Sequence, residues 1–248
     1  MTTAAPKETV ESVASEMSAK TVRTADDWEG VWTTGGADGG KLMPGHKFDA
    51  GKSSPMLHAV ISRDVEAHDG AHGVEGRRVL VPGCGRGYDV LTFARAGASE
   101  AVGLEIAPTG NAEAQKILRD ATAADHKLRG VCSVVDKDFF SLPSSSGPSP
   151  SLFDIVYDYT FLCALEPARR TAWATTMASI VKPGGQLWTI IFPISDHDGG
   201  PPFAVSPAVY RSLLLESFEE VSLAPVPDEL SHNGRESKEA FAVWERRK

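Results

Sequence analysis

The sequence predicts a parallel α/β sheet with helices on both faces, and three observations support this. Short apolar runs of strand length alternate with segments of helical period through the middle of the chain. One run, Val79-Leu80-Val81, ends in Pro82-Gly83-Cys84-Gly85-Arg86-Gly87, where every second residue is glycine, and a helical pattern starts at once with Tyr88. The next run, Val102-Gly103-Leu104, ends in an acid, Glu105. Glycines let the backbone approach a ligand without Cβ interference, and the new helix offers free N–H groups. A carboxylate at the end of the second strand can accept both hydroxyls of an adenosine ribose. Together these features predict a site for an adenosine-containing cofactor.

The elements follow in order. Residues 1–24 are rich in Ala, Thr, Ser, Glu and Lys with little periodicity, and are expected to form a mobile tail. Asp26 to Trp32 reads as a short helix carrying Trp28 and Trp32 on one face. Thr33 to Lys47 is a glycine-rich loop. Ser54 to Val65 reads as a helix with Pro55 in its first turn. Strands are expected at 78–81, 101–105, 131–135, 153–158 and 185–192, and helices at 88–96, 109–123, 166–181 and 206–216. Segments 219–224 and 240–245 read as a closing pair of strands, and 141–151, rich in Ser and Pro, as a surface loop. The expected organisation is one domain over 25–248, with 25–65 as an N-terminal cover and 77–248 as the core.

Composition narrows the function. The apolar share of 42% in 248 residues supports a sizeable core, and the net charge of −8 argues against a nucleic-acid backbone as partner. No apolar run reaches membrane-span length, and the first residues lack the blocks of a signal peptide. The three cysteines, Cys84, Cys132 and Cys163, are sparse and odd in number, which suits a reducing compartment and a cytoplasmic location. No pair has metal-ligand spacing, so no metal is expected. The expected partner is a small molecule or anion, and the expected state a monomer.

Glycine spacing selects among cofactors. A dinucleotide fingerprint would place its third glycine where Tyr88 stands, and no Lys-Ser/Thr follows as a P-loop requires. Gly83, Gly85 and Gly87 instead form the G-x-G-x-G turn of class I S-adenosylmethionine (SAM) methyltransferases. A glycine turn that only packs tightly, or a nicotinamide or flavin site, is the competing reading. Ligands of such sheets lie at the carboxyl ends of the strands. There Asp138 and Phe139 can serve an adenine, against the alternatives of a turn or cap residue and ordinary core. Tyr159 and Phe161 can line the path of the methyl group, and Asp158, Phe192, Asp196 and His197 follow the next strand ends.

The chain resembles the thiopurine S-methyltransferase family, in particular its thiol and halide methyltransferase branch. The resemblance rests on Trp28-Glu29-Gly30-Val31-Trp32, on Val81 to Asp89, on Val102 to Ile106 and on Asp138-Phe139-Phe140. It rests also on Phe153 to Pro167 and on Phe192 to Phe203. It implies a Rossmann-like, mostly parallel seven-stranded sheet with an antiparallel last strand and an N-terminal helical lid. It implies SAM contacts from Trp28, Trp32, Gly83, Glu105, Asp138, Phe139 and Tyr159, with S-adenosylhomocysteine (SAH) as product. Phe48 stands where the family usually has Trp, Glu105 where it usually has Asp, and the loop between Trp32 and Phe48 is longer than usual.

The chemistry expected is in-line methyl transfer from a sulfonium, in which the protein aligns the reactants and excludes water. Trp28, Trp32 and Phe48 can cover the cation, or simply pack a structural helix. The expected acceptor is a small soft nucleophile: iodide or bromide, hydrosulfide or a small thiol. Tyr159, Asp158 and His197 are the candidate catalytic residues, with Asp196 a further possible base. A loop-shaping hydrogen bond is the alternative for His197, and a carboxylate partner the alternative for Arg86. A methyltransferase of larger thiol, oxygen or nitrogen acceptors and a non-catalytic SAM-binding protein remain as other readings.

Overall fold

The structure, a computed structural model, describes residues 24–46, 48–67, 73–144 and 152–248. The expected tail at 1–24, Thr24 apart, and most of the Ser/Pro-rich loop lie outside the described residues. Helix α1 (Ala25–Thr34) begins with a reciprocal cap: the Thr24 side chain accepts from Asp27 N while the Asp27 carboxylate accepts from Thr24 N. Helix α2 (Pro55–Ala67) places proline at its first position, where no intrahelical donor is lost.

Seven strands follow: β1 (Arg78–Pro82), β2 (Glu100–Leu104), β3 (Cys132–Val135), β4 (Phe153–Tyr159), β5 (Val181–Ile191), β6 (Phe218–Pro225) and β7 (Ala240–Arg246). They are interleaved with α3 (Tyr88–Arg95), α4 (Pro108–Ala124), α5 (Arg170–Ile180) and α6 (Pro207–Leu214). The sheet order is β3-β2-β1-β4-β5-β7-β6. Strands β1 to β5 pair in parallel, and β7 is antiparallel to both β5 and β6. This is the Rossmann-like arrangement expected from the alternating pattern.

The buried strands are apolar on both sides because helices cover both faces. Along β1, Val79 and Val81 join the core beneath α2, α3 and α4, while Leu80 joins the core beneath α5 and α6. In β4, Ile155 and Tyr157 face the first core and Val156 the second. Boundaries differ from expectation chiefly around α5 and β5, where the helix expected from 166 starts at Arg170 after a 3-10 turn at Pro167–Arg169. Helix α5 ends at Ile180, and β5 pairs from Val181 onward, with an irregularity before Gln186. Lys182-Pro183-Gly184-Gly185 reads locally as a turn; here it is a bulge within a strand whose pairing resumes beyond it. Among the described residues no helix is long and apolar enough to cross a membrane.

Candidate active site

The glycine turn after β1 explains its own composition. Gly83, Gly85 and Gly87 all have positive φ, at 58°, 53° and 76°, a region that side chains with a Cβ rarely adopt. Gly103 on β2 leaves room for Cys84: a Cβ there would lie 2.5 Å from its Sγ. Burial pushes the Cys84 thiol well up, with the Glu105 charge adding to the effect. Cys84 therefore acts as a small apolar filler beneath the turn.

Glu105 follows β2 and is almost fully buried. Its Oε2 accepts from Gly85 N at 3.1 Å and its Oε1 from Ala107 N at 2.9 Å. Burial pushes its carboxyl up to about 7; the backbone donors oppose this and the Glu29 charge adds to it. Glu105 thus couples the glycine turn to the next strand end and presents a carboxylate to the cavity above the sheet. That cavity is about 430 Å³, within the range for a small-molecule site.

Helix α1 roofs the cavity. Trp28, Val31 and Trp32 line it, with Phe48 set edge-on to Trp28 at 6.3 Å between ring centroids. Two contacts fasten α1 to the start of α4. The Glu29 carboxylate accepts from Thr109 N at 2.8 Å and from the Thr109 hydroxyl at 2.5 Å. Trp32 lies directly on Gly110, where a Cβ would come within 2.5 Å of its ring. Arg86 fixes the loop after α1: it donates to Asp49 and Glu113 and to the Leu42 carbonyl, and its guanidinium lies 5.1 Å from the Trp32 ring.

The floor is aromatic. Phe139 meets Phe161 at 5.0 Å and Phe140 at 5.2 Å, both edge-on. At the far end, Phe161, Phe192, Pro201 and Pro202 share the lining with Arg235, from the β6–β7 connection. The Arg235 guanidinium carbon lies 4.5 Å from the Phe192 ring centroid and 5.2 Å from that of Tyr159. Its Nη1 is buried with no hydrogen-bond partner.

Ten of the sequence-selected residues meet around this cavity: Trp28, Trp32, Phe48, Gly83, Gly85, Glu105, Asp138, Phe139, Phe161 and Phe192. Five others do not reach its lining, and each has a physical reason. Gly87 faces away: a Cβ there would meet Leu118 of α4 at 3.0 Å. Asp158 is fully buried beneath the β4 end. Its oxygens accept from Phe161 N, Leu162 N and Trp173 Nε1, so they hold the following loop rather than face an acceptor. Burial pushes that carboxyl up to about 6 against the three donors. Tyr159 points to the opposite face, stacks on His232 and donates its hydroxyl to Glu239 at 2.5 Å. Burial pushes its phenol upward. His197 is exposed and bonds Ser195 Oγ and the Pro202 carbonyl, a loop-shaping role. Asp196 is exposed. Arg235, Glu29 and Thr109 were not selected from sequence. Glu29 sits inside the Trp28–Trp32 motif, which was a usable signal; Arg235 belongs to no local pattern.

The residues present fit SAM: a backbone cradle at Gly83 and Gly85, a buried carboxylate able to accept from ribose hydroxyls, aromatic walls, and two indoles in the lining able to attract a sulfonium. Known proteins agree. The chain matches the model of the thiopurine S-methyltransferase family over residues 24–247. It is 35% identical over 220 residues to a probable thiol methyltransferase 2 of Arabidopsis thaliana, covering 88% of this chain and 84% of that protein. It is 32% identical over 221 residues to thiocyanate methyltransferase 1 of Brassica oleracea, with the same shares covered. Among solved structures, magnesium protoporphyrin IX methyltransferase from Synechocystis PCC 6803 with bound SAM has a TM-score of 0.56 at 17% identity, covering 77% of this chain and 78% of that one. A protein crystallised for its conversion of a disulfide bond into a thioacetal group in echinomycin biosynthesis has a TM-score of 0.62 at 21% identity, covering 90% and 93%. The chain belongs to the thiopurine S-methyltransferase family and is a SAM-dependent methyltransferase.

Proposed function

We propose that this enzyme methylates a small, soft nucleophile that reaches the cavity already anionic: thiocyanate, hydrosulfide, iodide or bromide, or the thiolate of a small thiol. The observation that carries the reading is Arg235. It brings a guanidinium with a buried, unpartnered nitrogen to a cavity end otherwise made of Phe161, Phe192 and two prolines. A buried donor without a partner is costly, and an anion satisfies it. Apolar walls strip water most cheaply from a large, weakly hydrated anion, and they offer little to sugars or amines. The thiol and thiocyanate methyltransferases among its relatives support the same acceptor class.

Bound SAM supplies an electrophilic methyl on a sulfonium. The chain's own residues align and shield it. Glu105 and the glycine turn hold the nucleoside, Trp28, Trp32 and Phe48 exclude water, and Arg235 with Phe192 seats the acceptor in line. The carboxylates among the described residues that line this cavity are Glu105, Asp138 and Glu166, and the reading assigns them to the nucleoside side. Asp158, committed to three donors, and His197, bonded on both ring nitrogens, are not used as bases. Helix α1 acts as a cover that admits the cofactor. The sparse free cysteines suit a cytoplasmic setting.

The test is incubation of the protein with SAM and a panel of thiocyanate, hydrosulfide, iodide, bromide, a small alkyl thiol, a phenol and an amine, followed by headspace and liquid analysis. Methyl thiocyanate, methanethiol and methyl iodide are the expected products. Transfer confined to the phenol or amine overturns the reading.

A further inference from the structure

The geometry points to Glu166 as the residue that recognises the 6-amino group of the cofactor's adenine. Glu166 is 6% exposed and lines the cofactor cavity, and its Oε1 has no hydrogen-bond partner. A buried carboxylate oxygen without a donor is among the costlier groups to keep, so its natural complement is a donor brought by a ligand. Neither neighbouring arginine donates to Glu166 Oε1, although Arg170 Nε is also buried without a partner. The Arg169 guanidinium lies 3.7 Å from the Phe140 ring centroid, and Arg170 donates to the Ala204 carbonyl at 2.9 Å.

Position identifies which end of the cofactor Glu166 meets. The segment after β4 starts near the acceptor side, where the Cys163 carbonyl accepts from Phe203 N at 2.7 Å. It then leads into α5, which packs on the 3-10 turn Phe139–Ser144 after β3. Glu166 opens the turn before α5, its carbonyl accepting from Arg169 N at 2.8 Å. It is thereby carried back over the sheet to the side of Phe139 and Phe140. With the ribose on Glu105, the base must extend along Ile106 towards these same phenylalanines, which line the cavity together with Leu165. Asp138, the acid that the resemblance would place on the adenine, is exposed and already spent in part on its own turn. Its Oδ1 accepts from Phe140 N at 3.0 Å and its carbonyl accepts from Ser141 N at 3.0 Å. Glu166 is the better desolvated acceptor for an N–H donor, and an adenine presents one where a hypoxanthine presents a carbonyl oxygen.

The proposal rests on SAM as cofactor and not on the acceptor, so binding measured without any acceptor separates the two. Calorimetric affinities of the full chain are compared for SAH and S-inosylhomocysteine, which replaces the 6-amino group by a 6-oxo group. The wild type is expected to prefer SAH by on the order of 10- to 100-fold, the scale of a charge-assisted hydrogen bond. In Glu166→Gln, whose amide can donate to the 6-oxo group, the preference should shrink about tenfold or more. In Asp138→Asn it should persist. The ratio is taken within each variant, so a loss of active protein does not alter it. A wild type indifferent to the exchange overturns the proposal whatever the variants do. So does a Glu166→Gln variant that keeps the wild-type ratio, and so does an Asp138→Asn variant that alone abolishes it.

Discussion

In the function proposed above, Glu105 carries two duties whose electrostatic demands differ. Its burial favours the neutral acid, with a carboxyl pushed up to about 7, while ribose hydroxyls favour the carboxylate that accepts from them. The cofactor therefore binds the ionised form better, and protonation competes with it. SAH affinity is expected to fall as the pH drops from 8 to 6. Glu105→Gln should bind more weakly, by roughly 1–3 kcal/mol at pH 8, and with little pH dependence over that range. Calorimetry at several pH values checks this, and an unchanged affinity in the variant would remove Glu105 from the ribose. The identity of this residue was legible because a strand end dictates its position. The side-chain directions at the end of β4 were not. Alternation along that strand sends Asp158 into the core under α5 and Tyr159 to the opposite face, so neither lines the cavity, and Phe161 beyond the strand does. Asp158 and Tyr159 were chosen for their chemistry, and the strand places both side chains outside the cavity lining.

At the scale of elements, α1 lies over the cavity and is held there by its contacts with the start of α4. The Trp28–Trp32 spacing announces one apolar face of a helix, but the surface that receives it, Thr109 and Gly110, lies about 80 residues away in the chain. Local periodicity carries no record of such a contact. Gly110 is helical, so alanine there should favour α4 itself by roughly 0.5–1 kcal/mol. Its Cβ would nevertheless meet the Trp32 ring at 2.5 Å and push α1 off its seat. Gly110→Ala is thus expected to keep or raise the melting temperature while weakening SAH binding about tenfold. A variant that binds SAH normally would show that the Trp32 contact is not part of the cofactor site. Removing the Glu29 carboxylate as Gln should act in the same direction but less, since a carboxylate at a helix N-terminus contributes about 0.3–1 kcal/mol when partly exposed. Thermal melts and SAH titrations on the same samples check both.

The whole molecule places its site by topology. Parallel strands bring the β1 turn, Glu105 and the ends of β3 and β4 to one edge of the sheet, and the alternating pattern made that edge readable without a structure. Arg235 was not readable. It enters through the antiparallel β6–β7 pair, whose long connection returns to the cavity only because β7 inserts between β5 and β6. With Arg235 at one end, and with Glu239 and His232 beside it but outside the cavity lining, the central proposal is that the enzyme receives its acceptor as an anion and leaves deprotonation to the solvent. The most direct test is kcat/KM for the acceptor at saturating SAM, measured from pH 6 to 9 with thiocyanate and with a small alkyl thiol on the same enzyme. Thiocyanate is ionised throughout and should give a flat profile. The thiol should rise close to tenfold per pH unit until its pKa, near about 8.5 for an ordinary thiol, and then level off. A thiol profile as flat as that of thiocyanate, or a thiocyanate profile that rises with the thiol, would contradict the account, the first by revealing a base within the cavity and the second by revealing a titrating group required for transfer itself.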